Sequence, residues 1–213
     1  MDIRRYFTKA NITLQTESQT EVKTEVKTEE KPNVSQKREK LIKVFTDGSS
    51  FNNGLKGHKH YGGIGIFFSD NHDDNTSVML QESNGNPVTN NIAELKACIM
   101  AIEIINDNVF NNYDKIIIYT DSEYTIKSIT QWAKKWEKNN WKRMVGSKLK
   151  DIKNKELIMK LYNLYKSYTI EFRHVRAHRT KPRNENSEDY FIWYGNMMAD
   201  KLAREASQPK YFT

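Results

Sequence analysis

The pattern of the chain predicts an α/β fold, a five-stranded mixed sheet flanked by helices. Three short apolar runs rich in β-branched residues come first and lie close together in sequence, as hairpin strands do. From about residue 89 onward, runs with helical periodicity alternate with two further strand-like runs, which is the mark of helices packed on a sheet. Two of the apolar runs, LIKVFTDGSS (41–50) and KIIIYTDSEY (115–124), also end in the same Thr-Asp pair.

Taken in order, residues 1–40 read as a tail and linker. TEVKTEVKTEEKPN mixes charge with few large apolar side chains, too few to offset the entropy of ordering. The folded domain is expected over 41–207, with 208–213 as a short C-terminal tail. Strand one covers 42–47, and GGIGIFFSD gives strand two, where Gly62, Gly63 and Gly65 allow a bend or a close approach. TSVMLQE (76–82) gives strand three. Over 89–107, Ile92, Leu95, Ile99, Ile102 and Ile105 recur every three or four residues, predicting a helix that Thr89, Asn90 or Asn91 could cap. Strand four covers 115–121. One or two short helices follow, then an amphipathic helix over NKELIMKLYNLYKSY, a fifth strand in TIEFRHV and a closing helix in NMMADKLAREAS. RTKPRNENSEDYFIWY, between His178 and Gly195, reads as a long loop.

The bulk properties narrow the function. The 213 residues hold one cysteine, which excludes an internal disulfide and a Cys-pair zinc site and suits a reducing, intracellular setting, nucleus or cytoplasm. No apolar run approaches the roughly 20 residues of a membrane span, so no membrane partner is expected, and nothing points beyond a monomer. The net charge is +7, and residues 132–155 hold nine Lys or Arg against Glu137 and Asp151, a surplus equal to that of the whole chain. The same segment holds Trp132, Trp136 and Trp141. A basic run is usually a solvated face, but rings interleaved with cations suit a nucleic acid better.

Four acids stand in apolar surroundings: Asp47 and Asp121 at strand ends, Glu94 and Asp200 within helices. Singly, each has an ordinary reading as a turn residue or as an acid near a helix start. Together they predict a metal site. Two like charges about 4 Å apart repel by roughly 4 kcal/mol at a surface-like dielectric. A convergent set therefore needs cations, and oxygen-only ligands select magnesium or manganese. Two such ions support displacement at a phosphodiester.

The motifs TDGS, TNNIAEL, YTDSEYT, HVRAH and GNMMADKLARE, in this order over about residues 43–207, resemble type 1 ribonuclease H, an endonuclease that cuts RNA in RNA–DNA hybrids. The resemblance implies a ribonuclease H-like fold and two Mg2+ ions, with Mn2+ able to substitute, held by Asp47, Glu94, Asp121 and Asp200. It implies that His178 assists proton transfer or product release, and that Asn53, Asn90 and Asn91 contact the hybrid in its minor groove. Tyr124, Trp132 and Trp136 match the aromatic channel for the DNA strand, and Thr89 and Asn154 match a pocket for a DNA phosphate. The chain departs from the family at Pro87-Val88, where an arginine is usual, and in the loop after His178, which is about a dozen residues longer. MDIRRYF resembles a sliding-clamp-binding peptide, with Ile3, Tyr6 and Phe7 as anchors and without the usual leading glutamine. A non-catalytic nucleic-acid-binding module on the same fold is the rival reading, and it gives no reason for four clustered acids.

Overall fold

The computed structural model describes residues 39–52, 60–81, 87–107, 113–177 and 179–208. Asn53, His178 and the peptide carrying Ile3, Tyr6 and Phe7 lie outside the described residues, as does the tail 1–38.

Five strands form the main sheet: β1 (Leu41–Phe51), β2 (Tyr61–Phe67), β3 (Thr76–Gln81), β4 (Lys115–Thr120) and β7 (Ile170–His174), in the order β3-β2-β1-β4-β7. The first three form an antiparallel meander, while β4 and β7 join in parallel through helical crossovers, so the sheet is mixed as predicted. Strand β1 is longer than expected. It leaves β4 at the Phe45↔Tyr119 pair but stays paired with β2 as far as Phe51↔Tyr61, so Asp47 lies inside a strand rather than at its tip.

Side chains alternate between the two faces of β1 and β4. Ile42, Val44, Ile116 and Ile118 face a core shared with α1 (Asn90–Asp107) and α4 (Lys155–Ser167). Helix α1 is apolar over most of its circumference because it is covered on two sides, by the sheet and by α4. Phe45, Ile117 and Tyr119 face the opposite way, toward α5 (Glu188–Ser207). There Phe45 stacks on Tyr119 at 4.7 Å and meets Phe191 edge-on at 5.2 Å. Each such ring contributes about 1.5–3 kcal/mol by burial.

Small residues set the closest approaches. A Cβ on Gly63 would lie 1.9 Å from the Ala203 carbonyl oxygen, and one on Gly65 would lie 2.0 Å from that of Ala199. Strand β2 therefore touches α5 backbone to backbone.

Three further segments complete the order, and two of them, the start of α5 and a hairpin, correct what was expected. Helix α5 begins at Glu188, not near Asn196, so Trp193 and Tyr194 are helical and the inserted loop ends at Ser187, whose hydroxyl caps the helix by accepting from Tyr190 N–H. Asp200 consequently sits past the middle of α5, out of range of a helix-start dipole. Residues 123–138 form α2 (Glu123–Lys127), a π-helical turn (Ser128–Trp132) and α3 (Ala133–Lys138). A hairpin, β5 (Lys142–Val145) and β6 (Lys148–Asp151), then projects where no strands were foreseen. Trp141 roots it. This residue is 9% exposed, meets Tyr162 edge-on and holds φ 58°. That left-handed conformation is strained for a bulky side chain. Trp141 is thus a core residue and leaves the row of surface rings that its composition suggested.

Candidate active site

Residues two beyond the last β1–β4 pair are Asp47 and Asp121, so the parallel register brings the repeated Thr-Asp motifs side by side. Helix α1 supplies Glu94 from one side. A Cβ on Gly48 would lie 2.2 Å from the Glu94 nitrogen, so only glycine lets α1 approach β1 this closely. Ligand oxygens of Asp47, Glu94 and Asp121 all lie within 4.8 Å of one another. Asp200, from α5, stands outside that tight group but lines the same open cavity of about 490 Å³, where Arg204 pairs with it at 2.6 Å.

Burial and mutual repulsion shape the charges. Asp47 is pushed up to about 7, first by loss of water and then by the charges of Asp121 and Asp200. Glu94 is held well above the usual carboxylate range by burial, with Asp47 and Asp121 adding to it, while hydrogen bonds from Gly48 N–H and the Thr120 hydroxyl oppose the rise. Glu94 Oε2 is buried with no hydrogen-bond partner among the described residues. Acids held close and dry, with one oxygen unsatisfied and, among the described residues, only carboxylates in the tight group, fit a hard divalent cation.

Comparison with known proteins agrees with this reading. The family model for RNase H matches residues 38–208. The chain belongs to the RNase H family. A ribonuclease H of Schizosaccharomyces pombe is 37% identical over 164 residues, 77% of this chain and 52% of that protein. A ribonuclease H of Actinobacillus succinogenes is 32% identical over 170 residues, 79% of this chain and 91% of that protein. The chain spans about half the length of several of the curated relatives it matches. Among solved structures, LC9-RNase H1, described as a type 1 RNase H with the type 2 active-site motif, superposes with a TM-score of 0.55 at 24% identity, covering 81% of this chain and 74% of that one, a likeness of fold.

The remaining expected residues of this RNase H-family chain fall into two groups. Asn90 opens α1, lines the acid cavity and accepts a hydrogen bond from the Ser50 hydroxyl at 2.7 Å. Asn91 follows, exposed, and Thr89 starts the helix by accepting from Ile92 N–H. The second group lies over the α2–α3 segment. Tyr124 meets Trp132 edge-on at 6.4 Å, and Trp132 lies 5.5 Å from Trp136, so the three rings form one row despite the intervening π turn. Asn154, in a left-handed conformation before α4, donates to the Tyr124 hydroxyl at 3.2 Å and so joins that row.

Other cavity residues were not anticipated: Arg176, Arg179, Trp193, Asn196 and Arg204. Three of them were within reach. Trp193, Asn196 and Arg204 stand seven and four residues before Asp200 and four after it, which on a helix is one face.

Proposed function

We propose that this protein is a metal-dependent endonuclease that hydrolyses the RNA strand of RNA–DNA hybrids, leaving 3′-hydroxyl and 5′-phosphate ends. The observation that carries the reading is the convergence of Asp47, Glu94 and Asp121 from three separate elements, with Asp200 on the same cavity. A module that only bound nucleic acid would gain nothing by gathering buried negative charge where phosphates must approach.

Asp47, Glu94, Asp121 and Asp200 would hold two divalent ions, Mg2+ first and Mn2+ as a substitute. When bound, these ions supply Lewis acidity at the scissile phosphate and lower the pKa of the attacking water. The water adds to phosphorus, the P–O3′ bond breaks, and the RNA chain is divided without a covalent enzyme intermediate. The protein holds the acids at fixed spacing on a strand, a strand end and two helices. Asn90 and Asn91 lie beside them at the start of α1, where short amides suit the 2′-hydroxyls that an A-like duplex displays in its open minor groove. The Tyr124–Trp132–Trp136 row offers flat faces to the deoxyribose strand, and the cations of 132–155 neutralise its phosphates. His178 completes the proposal as the residue assisting proton transfer or product release. Residues 1–7 add the proposal of a sliding-clamp tether, which unchanged clamp affinity in a Tyr6→Ala, Phe7→Ala double variant would remove.

The test labels each strand of an RNA–DNA hybrid, a double-stranded RNA and a double-stranded DNA in turn. Magnesium-dependent cleavage confined to the RNA of the hybrid is expected. Binding without turnover, or cutting of the DNA strand, would overturn the reading.

A further inference from the structure

The acid cavity has one wall that the proposal above leaves unused. Arg176, Arg179 and Trp193 line the cavity whose acidic floor includes Asp47, Glu94, Asp121 and Asp200. Such a floor repels a polyanion until it is neutralised, so the lining cations decide how an RNA phosphate is received. Of the three arginines that line the cavity, Arg204 is engaged at 2.6 Å by Asp200. Arg176 and Arg179 lie on the segment that leaves β7.

Arg179 is held in place by its backbone. Trp193 Nε1 donates to the Arg179 carbonyl at 3.0 Å, tying the segment to the first turns of α5. Trp193 itself is well founded: it lies 5.5 Å from Tyr190, which stacks on Tyr194, whose hydroxyl donates to Asp70 at 2.8 Å. The chain from β7 to α5 that carries Arg179 contains the longer loop noted in the sequence, whereas Arg176 belongs to HVRAH and Trp193 to α5. The Arg179 side chain, by contrast, is only loosely engaged. Its Nη2 lies 3.7 Å from Asp189, both partners being substantially exposed. Exposed pairs of this kind contribute about 0–1 kcal/mol. A guanidinium exchanges such a partner readily for a phosphate, which it can bind through two parallel hydrogen bonds.

We propose that Arg179, positioned by Trp193, binds a phosphate of the RNA strand next to the scissile linkage, forming a subsite separate from the basic surface of 132–155. The inference rests on the hydrolytic reading of this cavity. Asp189 is then the resting partner that the incoming phosphate displaces.

The experiment uses the full chain. Hybrid affinity is measured over a series of salt concentrations in an Asp121→Asn background, where the substrate survives. Arg179→Ala should weaken binding about tenfold and reduce the slope of log K against log salt by about one. Arg179→Lys should restore the slope with part of the affinity, and Trp193→Phe, which keeps an aromatic ring of smaller size and loses the N–H, should weaken binding in the same direction. In the cleavage-competent chain, Arg179→Ala should raise KM for hybrid with kcat within about twofold. An unchanged salt slope in Arg179→Ala, with the melting temperature lowered equally by Asp189→Ala, would make the arginine a structural partner only and overturn the subsite. Hybrid cleavage by the unsubstituted chain is measured alongside. Its failure would overturn the function itself, whereas cleavage with an unaltered slope overturns the subsite alone.

Discussion

The acid cluster and the basic hairpin β5–β6 are built in opposite ways. Asp47 and Glu94 are 7% and 6% exposed and are fixed where β1 and α1 meet over Gly48. Met144 and Leu149, paired across the hairpin, are 60% and 57% exposed and are attached to the core mainly through Trp141 at the root. The difference follows from the work proposed for each region. Chemistry at a phosphorus atom needs ligands held to a fraction of an ångström, so its residues come from stiff, mutually packed elements. Phosphate attraction acts over several ångströms and tolerates looser placement, so cations serving it can stand away from the core.

The comparison breaks most decisively at the acids. Asp121→Asn should lower hybrid cleavage by on the order of a thousandfold or more, because metal-assisted charge stabilisation supplies several kcal/mol and each tenfold is about 1.4 kcal/mol. Hybrid affinity should stay within about twofold, since the substitution leaves every phosphate-binding cation and every ring in place. Equal loss of binding and cleavage would merge the two regions into one.

Packing around the acids should be nearly as intolerant. Gly65→Ala forces a methyl into the Ala199 carbonyl and should cost about 1–3 kcal/mol or more, read as a melting temperature lower by several degrees. An unchanged melting temperature would mean that α5 is free to shift.

Protonation sharpens the contrast further. Asp47 is raised from 3.8 to about 7, so burial and its neighbours favour the neutral acid in the folded state. That contribution to stability is complete below about pH 4 and disappears as the pH climbs through about 7. Metal-free protein should therefore lose stability between these limits, by about 4 kcal/mol at most for this group. Asp47→Asn should flatten the decline in a chelator-treated melting series, and added Mg2+ should raise the melting temperature more at pH 8 than at pH 5. A profile identical to that of the unsubstituted chain would separate Asp47 from the effect.

At the hairpin the expected change is smallest. Met144→Ser and Leu149→Ser should alter stability by no more than about 0.5 kcal/mol in chemical denaturation, as exposed positions do. A larger loss would show the hairpin to be packed against something more than Trp141.

The same contrast governs what the sequence made legible. Five strands, α1, α4 and the convergence of Asp47 with Asp121 were readable because buried elements write their periodicity in apolar residues. The hairpin was missed because its strands, KRMV and KLKD, carry lysines and arginine in place of a hydrophobic face. Its turn signal was present nonetheless: Gly146-Ser147, with Gly146 at φ 61°, as primed hairpin turns require. The start of α5 was signalled too, by Ser187 followed by Glu188 and Asp189, but the preceding KPRNENS has the composition of a loop. Trp141 could not be sorted from Trp132 and Trp136 by composition, since only the left-handed pair Asn140 and Trp141 turns its ring inward. Arg179 joins the cavity through a tertiary hydrogen bond that no local pattern encodes.

The central claim is that the gathered carboxylates exist to hold divalent cations. Calorimetric titration of Mn2+ into the unsubstituted chain and into Glu94→Gln, together with hybrid, tests it most directly. Two ions bound per chain, falling to one or none in the variant, is the predicted result. Identical binding by both proteins, or none by either while hybrid is still cut, would contradict it.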